Sequence, residues 1–212
     1  SLAGYPTPWT QQPAQMISYV SCHDDHCIGD RLCITLPEAD EKTRTALYKL
    51  AQTAVMTSQG VPFIFAGDEV MRHKKGVKNS FCSPDSINTI DWRNKALHRN
   101  AFDYTAALIA MRKAHPAFRL GSAEKVYQHL EFLPAEQKLV VAFRIKGQPE
   151  GEPWKNITVV LNAGKTPASV SVPQGNYRVV CRDGRIDCKK GLGQLSGSKL
   201  TVAPQSALIV HQ

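Results

Sequence analysis

From Glu41 to Gln59 the apolar residues Leu47, Leu50, Ala51, Ala54 and Val55 return at helical spacing, and Gly60 and Pro62 stop the run. The pattern predicts one amphipathic helix. Next to it, Val61 to Gly67 (VPFIFAG) is a short apolar run without alternation, as expected of a strand covered on both faces in a parallel sheet; Met16 to Ser21 (MISYVS) reads the same way. A second helix is written in Asn100 to Ala114, where Phe102, Ala106, Ile109 and Ala110 share a face before His115-Pro116 ends it. Strand, loop, helix, strand, long loop, helix is an α/β order.

From about Lys125 the period changes to two. Leu139, Val141, Phe143 and Ile145 alternate with Val140, Ala142 and Arg144, and Ile157, Val159 and Leu161 with Thr158, Val160 and Asn162. Val170 and Val172, Tyr177 and Val179, Leu200 and Val202, and Ala207 to Val210 repeat the theme between turn residues, which predicts an antiparallel β-sandwich. The expected division is 1–120 and 121–212. Two strands and two helices cannot cover both faces of a parallel sheet, so the first part reads as the last portion of a larger barrel.

Composition narrows the function classes. No apolar run among the 212 residues approaches the roughly 18 to 20 needed to span a bilayer, so no membrane partner is expected. The 26 Lys and Arg against 18 Asp and Glu give +8, but these charges are not interleaved with aromatics as in a nucleic-acid binder. The densest basic group, Arg72, His73, Lys74, Lys75 and Lys78, reads as a solvated loop. Six cysteines are too few for a disulfide scaffold. Asp183-Gly184 is a hairpin signal, and a four-residue loop Asp183 to Ile186 would set Cys181 and Cys188 near each other, bridged or reduced.

The chemistry gathers in YVSCHDDH, Tyr19 to His26, where an apolar strand ends in two carboxylates flanked by histidines. Carboxylates accept hydrogen bonds from neighbouring sugar hydroxyls and a histidine can hold a further one, contacts that strengthen as the ring flattens toward an oxocarbenium ion. A zinc reading of Cys22 to Cys27 fails because successive residues of an extended chain point to opposite sides and no second Cys/His pair follows. No metal and no cofactor are expected. The long loop Val70 to Arg99 adds Asn79, Asp85, Asn88 and Trp92, the amides, carboxylate and flat apolar face that suit a glucan. The same residue types are ordinary loop formers.

YVSCHDDH with Arg31 and Leu32, TAVMTSQGVPFIFAGDE (Thr53 to Glu69), KNSFCSPDSINTIDW (Lys78 to Trp92) and IAMRKAHPAFRLG (Ile109 to Gly121) together resemble the C-terminal part of the type I pullulanases. These are debranching enzymes of the α-amylase superfamily, glycoside hydrolase family 13. The resemblance implies the last strands and helices of a (β/α)8 TIM barrel followed by a β-sandwich. It further implies retaining hydrolysis of α-1,6-glucosidic branch linkages in pullulan, glycogen or limit dextrins. His23 and Asp24 match the histidine and the transition-state-stabilising aspartate of the superfamily's last conserved motif, and Asp25 stands where debranching enzymes often have asparagine. The nucleophile and general acid/base would come from strands preceding Ser1, so the chain alone is expected to be inactive. Its expected partners are a branched α-glucan and the N-terminal part of the barrel. An isoamylase-type debranching enzyme or a glucan-branching enzyme shares the His-Asp motif. A non-catalytic glucan-binding or structural module is the other alternative; it would need exposed aromatics among Tyr127, Phe132, Phe143, Trp154 and Tyr177, of which alternation buries at least Phe143.

Overall fold

A computed structural model describes residues 10–212; residues 1–9 of the expected barrel segment lie outside the described residues. The first part holds two strands, β1 (Ile17–Ser18) and β2 (Val61–Pro62), and five helices, α1 (Ile28–Thr35), α2 (Glu41–Thr57), α3 (Asp85–Asn88), α4 (Asn94–Leu97) and α5 (Arg99–Ala114). A short α6 (Ala123–His129) leads into β3 (Leu130–Leu133), β4 (Val140–Ile145), β5 (Ile157–Asn162), β6 (Ala168–Arg182), β7 (Arg185–Ile186), β8 (Gln194–Val202) and β9 (Ser206–His211).

Local chemistry explains where α2 starts and stops. Asp40 accepts the Thr43 N–H at 2.8 Å and so caps the first turn. At the other end the buried Arg112 guanidinium donates to the carbonyls of Met56, Ser58 and Gly60 at 2.7–2.9 Å, satisfying acceptors that a helix end leaves free. Gly60 has a φ of +98°, and a Cβ there would stand 2.8 Å from the Met16 carbonyl oxygen. Only glycine lets the chain turn beside β1. Val61 N–H then donates to Met16 O and Phe63 N–H to Ser18 O, making β1 and β2 a parallel pair joined through α1 and α2.

The strand expectation is corrected here. The predicted strands 16–21 and 61–67 shorten to two residues each, and β1 and β2 have no further strand beside them among the described residues. Neither run is covered on both faces: Ile17, Tyr19, Val61 and Phe63 are all exposed. An unbroken apolar run is covered on both faces only where neighbouring strands and helices supply that cover. The described residues supply no such neighbours, and no barrel is formed by them.

The second part is the antiparallel, sandwich-like unit that period two predicts. Its strands run β3-β4-β5-β9-β6-β7, with β8 also paired to β6, in one seven-stranded sheet that curls over itself. The long β6 makes the curl possible, pairing with β8 from Ala168 to Arg178 and with β9 from Arg178 to Cys181. One apolar cluster packs Val160, Leu208 and Val210 against Val170, Tyr177 and Leu200 inside the curl. A second lies on the opposite face of the same central strands, where Phe143, Ile145, Val159 and Ile209 meet Leu50 and Val55 of α2, Leu108 and Met111 of α5, and Phe118. The polar half of the β5 alternation is therefore buried as well: Thr158 and Asn162 are as covered as Ile157.

The seam between the parts also carries buried polar groups. His115 Nδ1 donates to Glu152 at 2.7 Å, and the same carboxylate accepts the N–H groups of Ala117 and Trp154. Burial alone would raise this carboxyl, but the bonds from His115, Ala117 and Trp154 hold it below the usual carboxylate range. Trp154 is sandwiched between the rings of His115 and His211. Tyr104 of α5 reaches Thr53 at 2.7 Å and the Cys181 thiol at 3.2 Å.

Two further expectations change. Asp183 and Gly184, with φ of +52° and +67°, form a two-residue turn, so Cys181 faces Ile186 rather than Cys188, and both thiols are free. The basic loop is not wholly solvated. Arg72 donates to Ala66 O and Asn88 O, Lys74 donates to Ser80 Oγ, and both cations lie over the Phe65 ring, so Arg72 and Lys74 are buried while Lys75 and Lys78 are exposed.

Candidate functional site

Beyond β1 the chain makes a turn that presents His23 and Asp24 to solvent, their side chains 82% and 74% exposed, with Nδ1 and Oδ1 3.3 Å apart. The turn is anchored at both ends. The buried Ser21 hydroxyl accepts the Ile28 N–H at 2.8 Å, tying the strand end to the first turn of α1. On the far side, Asp25 takes a left-handed backbone with φ of +60°; its N–H donates to Asn79 Oδ1 at 2.8 Å and its carboxylate lies 3.2 Å from Lys78 Nζ. The His26 ring reaches Gly76 O at 3.2 Å. His23, Asp24, Asp25 and Asn79 thus come together, from segments more than 50 residues apart.

Asp30 of α1 holds the other side of this arrangement. Its carboxylate accepts the N–H groups of Lys74 and Gly76 at 2.7 and 2.9 Å, with the Cys27 thiol at 3.0 Å and His73 Nδ1 at 3.4 Å. Burial favours the neutral acid, yet these donors overcome it and keep the carboxyl below its ordinary range. Burial pushes the Cys27 thiol up to about 12, so it is an inert neutral donor rather than a thiolate.

Asn88 has its side chain engaged inside the loop, donating to Ser80 O and Ser83 O and accepting from Ser80 Oγ at 2.7–2.9 Å. Asp85 and the 61% exposed Trp92 line a separate open groove with Val70, His73 and Asp91. His23, Asp24, Asp25 and Asn79 do not line it.

Two residues of this neighbourhood are absent from the sequence-predicted set. Phe81 is 87% exposed two residues beyond Asn79, a bare aromatic face beside the Asp25 contact. Asp68 is 1% exposed, and one of its carboxylate oxygens has no hydrogen-bond partner among the described residues. Burial raises it to about 7 against the opposing Ser21 hydroxyl bond, with Glu69 adding to the rise and Arg72 opposing it. Phe81 stands inside the KNSFC motif and could have been picked as a lone aromatic among polar loop formers. Asp68 carries no such signal, because its burial depends on the left-handed turn at Gly67 (φ +94°) that follows β2.

The family model described as "Pullulanase, all-beta domain" matches residues 126–185, the first two-thirds of the curled sheet. The pullulanase of Bacillus subtilis strain 168 is 38% identical over 175 residues, covering 82% of this chain and 24% of that protein. A solved pullulanase from Bacillus acidopullulyticus superposes with a TM-score of 0.91 at 36% identity, over 97% of this chain and 25% of that one. The chain belongs to the type I pullulanase family. It spans about a quarter of the length of these pullulanases, as the resemblance to a C-terminal part implies. An isoamylase from Flavobacterium sp. is also similar, 36% identical over 96 residues, but covers 45% of the chain. One pullulanase structure, from Paenibacillus barengoltzii, is a complex with maltohexaose and α-cyclodextrin; it matches with a TM-score of 0.85 at 36% identity, over 96% of this chain and 30% of that one.

Proposed function

We propose that this chain is the C-terminal portion of a debranching hydrolase that cleaves α-1,6-glucosidic linkages in pullulan, glycogen or limit dextrins with retention. In this reading β1 and β2 are the last strands of a (β/α)8 barrel, residues 1–120 belong to that barrel and 121–212 to the sandwich. Ile17, Tyr19, Val61 and Phe63 are the edge that the rest of the protein covers. The observation that carries the reading is the His23–Asp24 pair, exposed at the carboxyl end of a parallel strand and fixed from both sides by Ser21 and Asn79. That is where barrel enzymes display reacting groups.

Asp24 grips the hydroxyls of the flattened sugar and His23 assists it, an electrostatic role that is strongest at the transition state. Asp25, Asn79, Asp85 and Trp92 offer further sugar contacts, and Asn88 acts by shaping the loop. Retention needs a nucleophile and an acid about 5 Å apart on two sides of the bond. The adjacent Asp24 and Asp25 cannot flank it, so these groups belong to the remainder of the longer protein.

Reducing-sugar release from pullulan tests this. The isolated chain should be inert, and Asp24→Ala in the full-length protein should lower kcat by about 10² to 10³ with KM much less changed. Cleavage of pullulan by the isolated chain would overturn the reading.

A further inference from the structure

The far side of the turn that carries His23 and Asp24 rests on a short stretch of the long loop, residues 76–79. The His26 ring reaches Gly76 O at 3.2 Å, Lys78 Nζ lies 3.2 Å from the Asp25 carboxylate, and Asn79 Oδ1 accepts the Asp25 N–H at 2.8 Å. His23 and Asp24 are themselves largely exposed, so their place is set by these anchors and by Ser21 on the near side. Local preference does not give the stretch its shape. Lys75, Gly76 and Asn79 have φ of +54°, +75° and +54°, a region that costs L residues free energy unless the surroundings hold them there.

That hold comes from α1. Asp30, 3% exposed, accepts the Lys74 N–H at 2.7 Å on one carboxylate oxygen and the Gly76 N–H at 2.9 Å on the other, from more than 40 residues away in sequence. Gly76 is thereby gripped on both edges, its N–H by Asp30 and its carbonyl by His26. The helix comes this close because position 29 is glycine: a Cβ there would stand 2.6 Å from the Arg72 carbonyl oxygen. The Cys27 thiol, 3.0 Å from Asp30 Oδ2 and 3.1 Å from Arg72 O, fills the same contact. Burying a carboxylate is costly unless its bonds are made, and here they go to two N–H groups of the loop that holds the turn.

We propose that Asp30 is a positioning residue for the sugar-binding turn: by fixing Lys74 and Gly76 it places Lys78 and Asn79 against Asp25, and so sets where His23 and Asp24 meet the substrate. The inference rests on the proposed role of Asp24. Asp30 itself is buried, and its effect passes through residues 74–79. A turn displaced by a fraction of an ångström to an ångström weakens contacts made at the transition state far more than it weakens substrate binding.

The test uses the full-length protein and steady-state hydrolysis of pullulan, with kcat expressed per folded molecule. Asp30→Ala should lower kcat by about tenfold or more with KM within about twofold. Adding Asn79→Ala should slow it by no more than about a further twofold, because the displaced loop has already lost the Asn79 contact. Asp30→Asn keeps one acceptor oxygen but turns its amide NH2 toward the second N–H, so it should fall between the parent and Asp30→Ala, and it serves where Asp30→Ala fails to fold. Gly29→Ala leaves Asp30 unchanged, wedges α1 off Arg72, and should lower kcat by about threefold or more. A residue that only stabilised the fold would lower the melting temperature and leave kcat per folded molecule unchanged. Parental kcat in any of these three single variants, or losses that multiply in the Asp30→Ala/Asn79→Ala double variant, would overturn the proposal while an impaired Asp24→Ala leaves the function standing. An Asp24→Ala variant of full activity sinks the functional reading and this inference with it.

Discussion

The two parts of the chain solve the burial problem differently. In residues 123–212 nearly every strand finds partners within the chain: β5 and β9 lie between the helices and the β6–β8 layer, and Val159, Val160, Ile209 and Val210 are all essentially inaccessible. In the first part, helices α2 and α5 bury their inner faces against that sheet, whereas β1 and β2 leave Ile17, Tyr19, Val61 and Phe63 in solvent. The sheet thus completes a core and lends one face of it to the helices. The strands that carry the candidate chemistry keep an exposed apolar edge, which in the proposed function is covered by the remainder of the longer protein.

The largest expected effect lies at the seam. Glu152→Ala leaves His115 and the N–H groups of Ala117 and Trp154 without an acceptor, and should cost about 3–5 kcal/mol in denaturant unfolding. Because the folded carboxyl titrates below its ordinary value of 4.5, its stabilisation is present above that value and is lost as pH falls through the lowered pKa. The variant should lack that acid-side loss. If Glu152→Ala unfolds the helices while the sheet persists, the comparison sharpens into two units of different stability.

Leu208→Ala acts inside the curl, away from the helices, and should cost about 3 kcal/mol by leaving a cavity in the sheet's own core. Equal loss of both parts in that variant would show that the sheet carries the helices with it.

Asp68→Asn separates the parts by pH. A carboxyl raised to about 7 by burial contributes stability that is fully present below its unfolded value of 3.8 and is lost as pH rises through 7. Melting at pH 4 should be unchanged, and at pH 8 the variant should be more stable, by on the order of 2 kcal/mol. Cys27, Tyr48, Glu69 and Arg72 are the ionisable groups that share this environment, and all four are present in both proteins. The smallest effect is at Ser122, which caps α6 at the junction of the two parts by accepting the Lys125 N–H. Ser122→Ala should cost about 1 kcal/mol and leave the sheet's amide exchange unaltered.

Much of the architecture was legible because it rests on local rules. Helical spacing between Asp40 and Gly60 placed α2, and His115-Pro116 ended α5 where the sequence indicates. Alternation located β4, β5, β6, β8 and β9, and the order of motifs identified the family. The Cys181–Cys188 spacing misled because the Asp-Gly turn takes two residues and shifts the pairing by a full step.

What the sequence determined by itself is the extent of the helices, the alternation of the strands and the turn residues, together with the His23–Asp24 pair at a strand end, since each depends on neighbours a few positions away; the face it indicated for α5 is the outer one, with Ala106, Ile109 and Ala110 exposed and Tyr104, Leu108 and Met111 buried. Tertiary structure alone decided which polar residues are buried. Thr158 and Asn162 look solvent-facing in their alternation and are enclosed by a second layer; Arg112 of α5 is buried and caps another helix; Asp68, just after β2, is buried behind a left-handed turn at Gly67. Burial of that kind is set by contacts between segments 50 or more residues apart, and local patterns of hydrophobic and polar residues carry no trace of them.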